Sequence, residues 1–177
     1  MRKIVAGLFI SLDGVVESPE KWHFPYFDAD MGRSVDALMR RADTLLLGRN
    51  TYETFASHWP HQDPADPMAA LLNERAKVVV SATLTDPSWH NTTVVGFDDL
   101  AALKEGPGGD LGMSGSPSLV VALLRAGLLD ELHLLVHPVV IGEGQRLFED
   151  GAGHIPLTLT RSETFGSGVL DLTYERA

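Results

Sequence analysis

The sequence predicts an α/β fold: one mixed, mostly parallel sheet of about eight strands, helices on both faces, and an antiparallel hairpin at the C-terminal end. Three observations point there. Short apolar runs alternate with segments of helical spacing. The runs at 3–10, 44–47 and 77–81 are nearly continuously apolar, as expected when both faces of a sheet are covered. Finally, LTLTRSETFGSGVLDLTYE reads as two strands around a tight Gly-Ser-Gly connection.

In chain order, Lys3 to Ile10 is the first strand, ended by SLDG, where Asp13-Gly14 signals a turn. Glu17 to Phe27 is a loop with two prolines and the aromatics Trp22, Phe24, Tyr26 and Phe27; its length marks it as functional. A helix is expected from about Asp30, because Met31, Val35, Leu38, Met39 and Ala42 recur at helical spacing. Thr44 to Leu47 is a strand, Thr51 to Ser57 a short helix, and WPHQDPADP a polar loop. Asp66-Pro67 supplies a cap and a first turn for MAALLNERA. KVVVS (77–81) and Thr92 to Val95 are strands, and DDLAALKE is a helix. DLGMSGS carries a brief strand into a turn. Ser116-Pro117 caps SLVVALLRAG, and Gly127 stands where a C-terminal glycine belongs. DELHLLVHPVVIG is a long strand whose HLLVHPVVI portion offers a dimer seam. With no repeat or linker, residues 1–177 read as a single domain.

Composition narrows the function. Net charge is −10, which argues against a nucleic-acid surface and against anionic membranes. A local positive pocket for phosphate is still compatible with that charge. The chain contains no cysteine, so disulfides, thiolate metal sites and cysteine nucleophiles are excluded. MRKIVAGLFISLDG suits a first strand better than a signal peptide, and no run approaches the roughly 20 residues of a membrane span. A cytoplasmic protein is expected.

The chemistry-bearing residues gather at strand exits. LLLGRNTYETF leaves a strand through Gly48, Arg49 and Thr51 and enters a helix. A helix N-terminus presents unpaired N–H groups and partial positive charge, which suit phosphate, and Arg49 adds a planar cationic fork. The same residues also make an ordinary turn, a surface arginine and a threonine cap. MSGSPS repeats the pattern with Ser114, Gly115 and Ser116, and again a plain cap is the alternative. VVSATL, with Ser81, Ala82 and Thr83, is a third such exit. In open α/β sheets ligands settle outside the carboxyl ends of strands, so three exits converging on one elongated anion form a dinucleotide-like picture. Neither G-x-G-x-x-G nor a Walker lysine is present. Ser11 and Asp13 leave the first strand; Asp13 either makes the turn or faces a reaction centre. His133 and His137 share one strand about 13 Å apart, too far for one metal. His58 and His61 lie in a loop without a third ligand, and no metal site is expected. There is no G-x-S-x-G elbow for a hydrolase.

These pieces together resemble a known family. GRNTYE resembles the G-R-x-T-[WY]-[DE] segment of dihydrofolate reductases, and KVVVSATL resembles their next cofactor strand. GSPSLVVALLRAGLLDELHLLVHPVVIGEGQRLF is closer to the C-terminal reductase domain of the bifunctional bacterial riboflavin-biosynthesis protein. With SLDGVVES, the matches run from about residue 4 to 175. The resemblance implies a three-layer dihydrofolate-reductase-like sandwich, NADPH as hydride donor with NADH as an alternative, a small-molecule substrate, and a homodimer. By position it implies that Gly48, Arg49 and Thr51 meet the cofactor phosphates, that Ser81, Ala82 and Thr83 line the adenosine side, and that Ser114, Gly115 and Ser116 contact the phosphate bridge beside Leu119. It places Ser11, Asp13 and Val15 near the nicotinamide and substrate. The proton donor is then Asp13 or an aspartate of the first helix (Asp28, Asp30 or Asp36), with Asp30 the foremost of these. Two departures stand out: Ala82 replaces the family's basic residue, and Gly115-Ser116 replaces a glycine pair.

Overall fold

In the computed structural model, which describes residues 1–151 and 153–177, the first strand, β1 (Ile4–Ser11), is buried along almost its whole length. Parallel strands covered on both faces have this character. Helix α1 (Ala29–Arg41) starts one residue after Asp28, whose Oδ1 accepts the Met31 N–H at 2.9 Å. The helical spacing predicted for Ala42 ends one residue early. Ala42 is already extended and opens β2 (Ala42–Gly48), so α1 passes into the strand without a loop.

Helix α2 (Arg49–His58) follows at once, then α3 (Pro67–Glu74), capped by Asp66, which accepts from the N–H groups of Met68 and Ala69. Strands β3 (Ala76–Val80) and β4 (Thr92–Val95), helix α4 (Leu100–Glu105) and strand β5 (Asp110–Met113) come next. Helix α5 (Pro117–Ala126) ends at Gly127, whose φ of 68° suits a residue without Cβ. Strand β6 (Glu131–His137) is shorter than predicted, because Pro138 has no N–H for the ladder. Strands β7 (Leu157–Thr164) and β8 (Leu170–Arg176) form the antiparallel hairpin.

The sheet order is β4-β3-β2-β5-β1-β6-β8-β7. The first six strands are parallel, and β8 turns the direction against β6. After β1 the chain builds outward through β2, β3 and β4, returns to insert β5 beside β1, and then adds β6 on β1's other side. The carboxyl ends of β3, β2, β5, β1 and β6 therefore line one edge. Helices α4 and α5 pack on one face through Leu100, Val120 and Leu123 against Ile4, Ala6 and Leu132. Helices α2 and α3 cover Leu45, Leu47 and Val79 on the other face, and α1 covers Leu135 there. Because β6 lies between β1 and β8 it has no free edge for pairing, and of the expected seam HLLVHPVVI only the part beyond the strand, with Val140, is exposed.

Charged clamps hold the opposite, amino edge. Glu131 is buried and receives Arg41 at 2.8 and 3.0 Å, Lys3 at 2.8 Å and His133 at 3.1 Å. The Arg41 guanidinium above all, with Lys3 and His133, holds the Glu131 carboxyl well below the usual carboxylate range, although burial opposes this. Buried Lys77 gives its ammonium to the carbonyls of Asn73, Arg75 and His90 at 2.7–3.0 Å. A folded-state carboxyl pKa below the unfolded value contributes stability that is present above the unfolded pKa and lost as pH falls through the acid range. Glu131→Gln should therefore lower stability at pH 7 by about 1–3 kcal/mol. It should also flatten the loss of stability below about pH 4, the ordinary glutamate range. Urea unfolding of both proteins at neutral and acid pH measures this.

Candidate active site

The exits of β2 and β5 are physically tied. The Gly48 N–H donates to Ser116 Oγ at 2.7 Å, and that hydroxyl donates to Thr51 Oγ1 at 2.8 Å. The approach leaves no room for a side chain at position 48: a Cβ there would lie 2.6 Å from Ser116 Oγ and 2.8 Å from its Cβ. A Cβ on Gly115 would come within 3.2 Å of Thr51 Cγ2. Ser116 stands at the N-cap position of α5, but its side chain makes no cap hydrogen bond to its own helix. The predicted cap is instead a bridge to a neighbouring strand exit. Its backbone is left-handed, at φ 63°, a strained state for serine that the two hydrogen bonds hold in place.

The exit of β3 joins the same group. Arg49 Nη1 donates to Thr83 Oγ1 at 2.9 Å, and Arg49 Nε pairs with Glu53 at 2.8 Å. Ser81 accepts the N–H groups of Thr83 and Leu84, forming the turn that presents Thr83. Ala82 and Ser114 are exposed, while Leu119 packs into the core close behind Gly48. Gly48, Arg49, Thr51, Ser81, Thr83, Gly115 and Ser116 thus form one cluster.

Neither helix of the tied exits, α2 or α5, has a side-chain cap, whereas aspartates cap α1 and α3. Uncapped N-termini leave backbone N–H groups and the positive end of the helix dipole facing outward. Two such ends beside an arginine and several hydroxyls suit an extended anion with more than one phosphate.

The exit of β1 is built differently. Ser11 donates to Asp13 Oδ1 at 2.6 Å and accepts the Val15 N–H at 2.8 Å. Asp13 also accepts the N–H groups of Ile141 at 3.0 Å and Gly142 at 2.8 Å. Val16 and Leu147 donate to the carbonyls of Gln145 and Gly14, Val15 bridges Arg146, and Glu17 accepts the Gln145 N–H. SLDGVVES and HPVVIGEGQRLF, more than a hundred residues apart in sequence, are two halves of one clasp. Val15 is buried inside it.

Of the two expected roles of Asp13, the turn is the one seen in this clasp. The Ser11 hydroxyl first, then the Ile141 and Gly142 N–H groups, hold its carboxyl far below the usual range. The helix-one aspartates have partners of their own. Asp28 is held low by the Met31 N–H, Asp30 pairs with Arg33, and Asp36 pairs with Arg40 on the exposed face. Asp30 lines a groove of about 480 Å³ under α1, shared with Arg33, Arg41, Glu131 and Arg161 rather than with Ser11.

The family model described as the RibD C-terminal domain matches residues 2–170. The chain belongs to the RibD C-terminal domain family. Across 98% of this chain and 94% of its own length, the Uncharacterized protein YyaP of Bacillus subtilis (strain 168) is 30% identical. A putative riboflavin biosynthesis protein from Shewanella sp. PV-4 superposes with a TM-score of 0.77 at 22% identity, over 100% of this chain and 99% of that one. Dihydrofolate reductase from Enterococcus faecalis, solved with NADP(H), gives 0.64 at 18% identity, covering 98% and 96%. The fold is dihydrofolate-reductase-like.

In this RibD C-terminal domain, sequence reasoning missed one cluster. His137, the last residue of β6, stands beside Ser11 in the parallel register. It is fully buried among Phe9, Trp22, His23 and Tyr26, with ring centroids 5.1–6.3 Å away. Testing the histidines only as metal ligands hid it. The usable signal was a histidine ending a buried strand, opposite a loop rich in rings. At the tied exits, Ser116→Ala leaves the Gly48 N–H without its acceptor and keeps the strained backbone, and should cost about 1–3 kcal/mol in urea unfolding. Ser116→Gly should cost less, because glycine tolerates the positive φ.

Proposed function

We propose that the protein is an NADPH-dependent reductase acting on a pteridine-like or aminopyrimidine substrate. Its nearest analogy is the reduction of 5-amino-6-(5-phosphoribosylamino)uracil in riboflavin biosynthesis. The observation that carries this reading is the joining of three strand exits by the Gly48–Ser116–Thr51 and Arg49–Thr83 contacts. Membership of the RibD C-terminal domain family supports it.

The bound dinucleotide would supply the hydride; the chain binds, orients and excludes water. The uncapped N-termini of α2 and α5 would hold the pyrophosphate, and Gly48 and Gly115 permit close backbone approach. Arg49 and Thr83 would meet the adenosine 2′-phosphate. With Ala82 in place of a basic residue, Arg49 is the cation of this cluster, so it sets the preference for NADPH over NADH. The segment 14–27 would cover the nicotinamide beside Ser11. A ribose phosphate on the substrate finds less support. Of the basic groups near the first helix, Arg33 and Arg40 form exposed pairs with Asp30 and Asp36, and exposed Lys21 in the covering segment is the cation left for it.

One observation favours a second reading, a nucleotide- or pteridine-binding protein without turnover. Asp13 and Asp28 both spend their carboxyl oxygens accepting backbone N–H groups. Oxidation of NADPH in the presence of dihydrofolate or the riboflavin intermediate rejects that reading. The expected homodimer would use the exposed edge strand β7 rather than the interior β6.

Calorimetric titration tests the main reading. Loss of a charge-assisted contact of about 1.5–3 kcal/mol makes Arg49→Ala bind NADPH roughly 10- to 100-fold more weakly, with a much smaller change for NADH. Absence of wild-type binding at millimolar NADPH overturns it.

A further inference from the structure

The ring cluster at the end of β6 holds two buried polar atoms that no described residue satisfies. His137 is fully buried, and His23 is 7% exposed. His137 Nδ1 lies 2.8 Å from the Leu135 carbonyl, an acceptor only, so this nitrogen carries the proton and Nε2 presents a bare lone pair. Neither His137 Nε2 nor His23 Nδ1 has a hydrogen-bond partner among the described residues. Burial pushes both imidazoles toward the neutral form. For His23 the nearby His137 adds to this; for His137 the Leu135 and Ile10 carbonyls pull the other way. A buried acceptor without a partner is a desolvation cost that a native fold seldom carries without a use.

The His23 ring lies on Phe9 at a centroid distance of 4.7 Å and 19° between planes, a stacked pair. It meets His137 edge-on, at 6.3 Å and 88°. A flat, neutral nitrogen heterocycle therefore already occupies the space over Phe9 and beside His137. That heterocycle is on a removable piece of chain. Among the described residues, every hydrogen bond made by residues 18–26 stays within 17–27: Lys21 to Ser18, Trp22 to Pro19, His23 to Pro19, Tyr26 to His23, and Trp22 Nε1 to the Glu17 carbonyl. The segment is held to the sheet by ring contacts and by the packing of Tyr26 against Leu135 and its neighbours, and can lift without breaking a hydrogen bond to the sheet.

We propose that Phe9 and His137 form the substrate's ring slot, now filled by His23. A planar, uncharged heterocycle with a ring N–H displaces the His23 imidazole, stacks on Phe9 and donates that N–H to His137 Nε2. The substrate class is thus a lactam-type pyrimidine or pteridine, distinguished from N-alkylated rings by His137. The slot lies beside Ser11 at the carboxyl edge, with β1 between β6 and the exit of β5. This inference rests on the reductase reading for its place in a reaction, but the binding it predicts needs no cofactor.

The test titrates the full chain with 6-aminouracil and with 6-amino-1,3-dimethyluracil, which lacks ring N–H groups, following Trp22 fluorescence and calorimetry. Wild type should prefer 6-aminouracil at least tenfold. His137→Phe should erase the preference, and His137→Gln, which keeps an acceptor, should restore part of it. His23→Ala should bind 6-aminouracil at least as tightly as wild type. A preference that survives His137→Phe in a protein with wild-type circular dichroism overturns the proposal. So does tenfold weaker binding by His23→Ala, or no wild-type binding of 6-aminouracil. NADPH is titrated separately. Binding of 6-aminouracil without NADPH supports the slot and removes the reductase reading; NADPH binding without 6-aminouracil removes the slot alone.

Discussion

One hydroxyl sets the geometry of the carboxyl edge. Ser116 Oγ takes the Gly48 N–H and gives its own proton to Thr51, so the exits of β2 and β5 cannot separate without losing two hydrogen bonds. The contact requires glycine at position 48, because any Cβ there would overlap the serine. It also takes Ser116 away from capping its own helix. Both helix N-termini are left open at the point where the sheet topology reverses, where α/β folds gather their ligands.

The two ends of the sheet are built from opposite materials. At the amino edge, charges are paired: Glu131 with Arg41 and Lys3, Arg2 with Asp43, and Lys77 with three carbonyls. Such clamps fix register and leave little for a ligand. At the carboxyl edge Asp13 ties the end of β1 to residues 141–142, joining 11–17 and 138–147 in one clasp. Among the described residues, the buried groups left without partners there include the ring nitrogens of His23 and His137. The clasp, the uncapped starts of α2 and α5, and a segment without hydrogen bonds to the sheet all lie along this edge.

Much of this was legible in the amino-acid pattern. Continuous apolar runs gave the parallel strands, and Asp66-Pro67 and Gly127 marked helix ends where they occur. The G-R-x-T and G-S-x-x-L segments placed the tied exits. Ala42 failed because it serves both the helical stripe and the first position of a strand, and local spacing cannot separate the two. β6 ended early because Pro138 overrides the apolar run around it. The role of Asp13 was unreadable because its partners, Ile141 and Gly142, lie 128 and 129 residues away. Ser116 was read as a cap or a phosphate contact for the same reason: its partners, Gly48 and Thr51, end β2 and begin α2, 68 and 65 residues away. His137 becomes meaningful only once a loop more than a hundred residues upstream folds over it.

The account turns on whether those joined exits grip one anionic dinucleotide. Two-dimensional amide NMR of the uniformly ¹⁵N-labelled chain during addition of NADPH reads that directly. The account predicts saturable shifts at Gly48 to Thr51, at Ser81 to Thr83, and at Ser116, Ser118 and Leu119, with Glu131 and its clamp unmoved. Shifts confined to the groove of Arg33, Arg41 and Arg161 under α1, or no shifts at all, would contradict it.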